Sequence, residues 1–137
     1  MSFAEVIESV RAKFVGDVAT PNELTVTHDN CPPRSITGNW YGLEVQIDGS
    51  QQVASNVAAG RRYRISGQAI VSMFCPVARG DGGLLAIADL IVTAFRGVVE
   101  SSPIIYYGVP SLVGDAARGD GWFQRTLTIP FEADVFG

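Results

Sequence analysis

The chain opens on a helical period. Phe3, Val6, Ile7, Val10 and Phe14 recur at spacings that place them on one face of a helix over Ser2–Val15. Glu5, Glu8, Arg11 and Lys13 mostly take the other side. Ser2 followed by Glu5 has the form of a capping box, and Gly16 is the expected stop, because glycine accepts the left-handed conformation at a helix end. The period then shortens to two. Leu24–Thr27 predicts a short strand, and Trp40–Ile47 a longer one with Tyr41, Leu43, Val45 and Ile47 on one face and Trp40, Glu44 and Gln46 on the other. Asp48-Gly49 is expected to close that strand. Ser50–Gly60 has no period and predicts a long loop of the kind that usually serves function. Arg62–Cys75 is the longest strand expected. Tyr63, Ile65, Gly67, Ala69, Val71, Met73 and Cys75 share one parity, and Gly67 predicts a bulge or bend.

A second helix is predicted over Asp81–Phe95, capped by Asp81 and ended by Gly97. Leu84, Ile87, Ala88, Ile91 and Phe95 form its core stripe, with support expected from Leu85 and Leu90. Ile104–Tyr107 and Val109–Val113 read as short strand pieces interrupted at Gly108–Pro110. Gly114–Gly121 reads as a polar turn, and Trp122–Phe131 as a final alternating strand. Strands and helices do not alternate, so parallel Rossmann wiring is not expected. The order implies one α+β domain over residues 1–137, a mostly antiparallel β-sheet with two α-helices packed on one face. The length of 137 residues fits a single domain, and 47% apolar residues suffice for a core.

Charge and cysteine usage narrow the function classes. A formal charge of −4 makes the chain a poor general binder of nucleic acid. All basic residues except Lys13 are Arg, the cation favoured at protein interfaces. Cys31 and Cys75 make no disulfide framework and are read as free thiols of a reducing compartment. No apolar leader is read at the start, and the longest apolar stretches, Leu84–Ile87 and Leu90–Val92, fall short of the about 20 residues of a membrane span.

No catalytic or metal constellation is expected. His28 is the only histidine, and His28, Asp29 and Cys31 are too close in sequence for a three-ligand site. Cys31 with His28 lacks the cationic setting that activates a thiol. Gly80-Asp81-Gly82-Gly83 lacks the P-loop lysine, and Asp81 would oppose a phosphate, so capping is the better reading. Ala-Arg-Gly-Asp-Gly occurs at Ala78–Gly82 and at Ala117–Gly121 with different flanks, which reads as a reused turn rather than a repeat. Arg61-Arg62-Tyr63-Arg64 is the only basic cluster. It is expected to pair with carboxylates of a neighbouring subunit or partner, the alternative being a solvated strand end.

The chain as a whole resembles the tail terminator-like proteins of long-tailed bacteriophages and prophages. The residues that carry the resemblance are the helix Phe3–Phe14, the strand Trp40-Tyr41-Gly42-Leu43-Glu44-Val45, and Gly60-Arg61-Arg62-Tyr63-Arg64 leading into a long strand. Cys75-Pro76-Val77-Ala78-Arg79-Gly80-Asp81-Gly82 follows, then the apolar helix Leu84–Phe95, and at the end Gly121-Trp122-Phe123-Gln124 through Ile129-Pro130-Phe131-Glu132-Ala133-Asp134. The loop Asn22–Thr37 and the stretch Ile104–Pro110 depart from that pattern. The resemblance implies a structural virion protein, not an enzyme, with no cofactor. Such a protein forms a ring, a hexamer, on the head-proximal end of the tail tube, ends tube polymerisation and makes the head–tail joining surface. The implied partners are further copies of itself, the tail tube protein and the connector or stopper protein, with no membrane and no sequence-specific nucleic acid contact. The implied location is the virion tail, and the host cytoplasm during assembly. A related head–tail connector or minor tail protein is the first alternative, and a cytosolic ligand-binding or enzymatic α+β domain the second. Trp40, Gln51, Gln52, Arg61, Arg62, Arg64 and Trp122 are the expected contact residues, with Ser50–Gly60 and Arg61–Arg64 projecting toward the tube or the next subunit.

Overall fold

A computed structural model describes residues 3–21, 26–28, 39–56, 60–76, 82–101, 104–117 and 122–136. Helix α1 spans Phe3–Phe14 and buries Val6, Val10 and Phe14. Gly16 does not stop it. The chain winds on through a wider turn over Val15–Ala19, closed by the Thr20 N–H donating to the Val15 carbonyl at 2.9 Å. The gain is burial, because Val18 and Ala19 extend the apolar face that Phe14 begins. Phe3, expected on that face, is 51% exposed.

The strands are β1 Val26–His28, β2 Trp40–Asn56, β3 Gly60–Pro76, β4 Val99–Ser101, β5 Ile104–Tyr107, β6 Ser111–Ala117 and β7 Trp122–Phe136. They form one sheet in the order β1-β2-β3-β7-β5-β4, with β6 also paired to β7. Among the described residues only the β1–β2 pair is parallel. Helix α2 spans Gly82–Phe95, and Gly97, at φ 69°, ends it as expected. Residue Asp81, Cys31 and most of the two Ala-Arg-Gly-Asp-Gly segments lie outside the described residues.

Both helices cover the same face of the sheet. Val6, Val10, Phe14, Val18, Leu84, Ala88, Ile91 and Phe95 join Ile65, Ala69, Val71, Met73, Ile105, Leu127, Ile129 and Phe131 in one buried cluster. The alternation expected of β3 and β7 therefore holds, and the fold is α+β. Each large side chain buried in this cluster contributes about 1.5–3 kcal/mol relative to exposure. Leu85 and Leu90 do not support the core, being 38% and 44% exposed. Lys13 binds the elements at one end of it. Its Nζ lies 2.6 Å from Asp17, 5.1 Å from the Phe95 ring centre and 5.8 Å from that of Tyr107. Phe95 and Tyr107 meet edge to face at 5.1 Å.

The largest departure from the sequence reading is at Ser50–Gly60. This segment is not an aperiodic loop through residue 56, because β2 runs on and pairs with β3 as far as Asn56 opposite Gly60. Nor does Asp48-Gly49 close the strand. The register shifts between Ile47 and Gly49, leaving Asp48 as an extra residue in a bulge opposite Gly67 and Ser66. The second shift, between Gln52 and Ala54, repeats the device. Two bulges break strict alternation, so the polar run Ser50–Asn56 carries no period even though it is paired. Likewise β6 continues to Ala117 with a shift at Gly114, into the segment expected to be a turn. Strand β7 passes Phe131 and ends at Phe136.

Two backbone positions explain local sequence choices. Gly67 lies under the Phe131 ring, and a Cβ there would run into the Gln46 carbonyl oxygen and lie 2.7 Å from the ring. Pro130 sits in the gap between β5 and β6 on the outer edge of β7, where its carbonyl accepts from the Gly108 N–H at 2.8 Å. In an antiparallel strand the N–H and C=O of one residue point to the same side. The missing proline N–H therefore removes no bond to β3. Replacing Gly67 by Ala is expected to destabilise the fold by about 1–3 kcal/mol through overpacking. Urea unfolding checks this, and an unchanged midpoint would show that Phe131 moves aside freely.

Candidate functional site

The face of the sheet opposite the helices is built from the other parity of β3 and β7 and changes character along its length. At one end the rings of Trp40 and Phe74 stack at 3.8 Å with an interplanar angle of 8°. They are register partners on β2 and β3, and such cross-strand pairs are the unit of sheet stabilisation. Trp40 is only 6% exposed. It therefore belongs to the interior of the fold, which corrects the expectation that it anchors a contact. The middle of the face is polar and half-buried. Gln46 Nε2 donates to Glu44 Oε1 at 3.0 Å and Gln68 Nε2 to Gln46 Oε1 at 3.3 Å, while opposite Phe74, at the aromatic end, Gln124 Nε2 donates to Thr126 Oγ1 at 3.4 Å.

At the other end stand the charges. Arg64 Nε donates to Asp134 Oδ1 at 3.0 Å and its NH2 to Oδ2 at 3.4 Å, a two-point contact between β3 and β7. Glu132 Oε2 is 3.8 Å from Arg64 Nε, and the Tyr106 ring centre is 5.9 Å from the guanidinium carbon. The Asp134 side chain is fully buried, while that of Arg64 is 33% exposed. Hydrogen bonding to Asp134, and then its charge, raise the Arg64 pKa above its already high ordinary value, while desolvation opposes them. The arginine is cationic at every working pH. Arg64 was expected to reach a neighbour's carboxylate. Its partner is instead Asp134 of the same chain.

Beside this cluster, the end of β5 leaves a shallow cavity of about 380 Å³ whose lining includes Ser66, Gly67, Tyr106, Gly108, Pro130 and Glu132. The absence of side chains at Gly67 and Gly108 keeps it open, and a Cβ on Gly108 would lie 2.9 Å from the Pro130 ring. Among the described residues no three His, Cys, Asp or Glu side chains come together. No helix among them is long and apolar enough to cross a membrane. Cys75 is buried and in no disulfide among the described residues.

The remaining expected contact residues fall on strands. Gln51 is paired with Arg64 and Gln52 with Tyr63 across the β2–β3 hairpin. Arg61 and Arg62 open β3, and Trp122 opens β7 opposite Pro76. The side chains of these five residues, Gln51, Gln52, Arg61, Arg62 and Trp122, lie outside the described residues. The hairpin thus brings Gln51 and Gln52 beside the arginine segment and leaves Trp40 and Trp122 at the far end of the ladder. Glu132, Asp134, Tyr106 and Pro130 were not among the expected site residues. Their signal was the alternation of Glu132 and Asp134 on β7, matching that of Arg64 and Ser66 on β3.

No protein-family model matches the chain, and no curated protein does. Twelve solved chains match its structure. One of them, which carries no functional name, superposes with a TM-score of 0.67 over 93% of this chain and 95% of its own length, at 14% identity. At that identity the likeness establishes the fold and nothing more.

The Arg64–Asp134 contact is asymmetric. Removing the arginine leaves a fully buried carboxylate without that counter-charge, whereas removing the carboxylate leaves a guanidinium that water can reach. Arg64→Met is therefore expected to lower the thermal midpoint more than Asp134→Leu. Equal losses in the two variants, compared by calorimetry, would contradict this account.

Proposed function

We propose that this protein is a structural component of a phage or prophage tail. In this reading it forms a ring on the head-proximal end of the tail tube, ends tube growth and offers the surface to which the head connector joins. What supports the reading is the order of segments along the whole chain. The segments that carry the resemblance occupy α1, β2, the head of β3, α2 and β7, so they build the body of one fold rather than a graft upon it. The open sheet face adds a physical reason. It presents half-buried glutamines, an arginine–carboxylate cluster and a long paired hairpin, a surface suited to protein contact rather than to enclosing a small substrate.

A ring needs two different contact surfaces on each subunit, one for each neighbour. The β2–β3 hairpin and the opposite sheet edge, at β4 to β6, are separated by the width of the sheet and can serve neighbours on opposite sides. Tail terminators do their work by stopping addition at a tube end. A folded domain of paired strands is adequate for that.

The test uses the full chain with a phage tail tube protein. Light scattering is expected to give a ring mass, alone or once tube protein is added. Electron microscopy is expected to show rings at one end of tubes whose growth has stopped. A chain that neither self-associates nor arrests tube growth overturns the proposal, as does turnover of a small molecule.

A further inference from the structure

Among the described residues every register shift of the sheet falls on the outer strand of its pair. The two shifts between β2 and β3 leave Asp48 and Val53 as the extra residues, both on β2. The shift between β6 and β7 leaves Gly114, on β6. The central β3–β7 ladder runs from Arg62 opposite Phe136 to Pro76 opposite Trp122 without a shift. Among the described residues, neither β2 beyond Leu43 nor β6 has a strand on its other side. The shifts cut these outer edges into short regular runs. On β2 the runs are Glu44–Ile47, Gly49–Gln52 and Ala54–Asn56, and on β6 they are Ser111–Val113 and Asp115–Ala117. The end strands β1 and β4 are themselves only Val26–His28 and Val99–Ser101. An incoming strand needs outward N–H and C=O groups that alternate in step with its own, and a bulge puts them out of step and sharpens the twist. Without its bulges β2 would offer Glu44 to Asn56 as one continuous template, the feature that invites pairing with another chain. The outer strands also carry exposed apolar side chains, Val99 on β4 at 59% and Leu112 on β6 at 43%. Apolar, unpaired edges are the ones that most need interruption. Asp48 adds an exposed charge at the first bulge.

We infer that the bulges at Asp48, Val53 and Gly114 keep the sheet of one copy of the chain from continuing, edge to edge, into the sheet of another. Contacts with further copies or with other proteins then run through side chains and not through backbone pairing at the edges. This goes beyond the ring reading and does not depend on it, since it holds for a single subunit as for an assembly.

The test uses the full chain in two measurements. Deleting Asp48 and Val53 together removes only the residues of β2 that lack a register partner in its shifts, and leaves every other β2–β3 pair in place. The double deletion is expected to self-associate at about tenfold lower concentration than the unaltered chain and to bind thioflavin T. Sedimentation and light scattering over a concentration series read the association, and a cooperative thermal transition shows that the variant folds. A folded variant that associates no more than the unaltered chain overturns the inference. The second measurement is residue-resolved amide hydrogen exchange on the unaltered chain, dilute, concentrated, and with a phage tail tube protein. The β2 amides between Glu44 and Asn56 that do not bond to β3 are expected to exchange at the same rate throughout. Protection of these amides that rises with concentration or assembly overturns the inference, whether or not the deletion variant folds. If rings form while the amides stay unprotected, the inference and the ring reading both stand. If rings form and protect them, the ring reading stands and the inference falls. If the unaltered chain assembles nothing, alone or with tube protein, and the folded deletion variant associates, the ring reading falls and the inference stands.

Discussion

Strands β3 and β7 are hydrogen-bonded antiparallel from Arg62 opposite Phe136 to Pro76 opposite Trp122, and the rest of the sheet is attached to one or the other. On one side β3 carries β2, which carries β1. On the other, β7 carries β6 along its first half and β5 along its second, and β5 carries β4. The ladder gives the helices their floor through one parity of side chains and the open face through the other. It also joins parts of the chain that are remote in sequence; the Arg64–Asp134 contact spans 70 residues. Loop-closure entropy must be met before such pairs form, so this topology folds slowly compared with a helical bundle of similar size.

Side-chain periodicity made much of this legible, and it failed where the backbone departs from regular pairing. The buried parities of β3 and of Leu127–Phe131 follow from a period of two, and the buried stripe Leu84–Phe95 from a period of 3.6. Gly97 announces a helix end, and the backbone delivers one. The hairpin arm was hidden because each bulge moves the succeeding residues to the other face, so Asp48 and Val53 scramble the alternation on β2. Gly16 looked like a stop, yet the demand to bury Val18 overrode it. Leu85 and Leu90 show the converse, that an apolar residue does not have to be inside.

The site was legible only in part, because it depends on register. Arg64 stands out in the sequence as the end of a basic cluster, but nothing local says that Asp134 will lie opposite it. That follows from the length of the β3–β7 ladder, which sequence patterns do not specify. Trp40 shows a related limit. Its polar strand neighbours place it away from the helices, as found, but whether the second face is covered there depends on Phe74, its partner across β2 and β3. The same face thus holds a dry aromatic end and a charged end, joined by a ladder of amides. Such a gradient puts apolar cohesion at one end of the surface and charge at the other.

Lys13 has a practical consequence. It is the only lysine in the chain, and its side chain is 8% exposed, held by Asp17 and by the rings of Phe95 and Tyr107. Reagents that couple through lysine ε-amino groups, whether bifunctional cross-linkers, biotin esters or activated sensor surfaces, meet a target the fold itself shields. A search for partners by lysine cross-linking would therefore report little from this chain, whatever it contacts. Carboxylate- or arginine-directed chemistry is better matched to this surface.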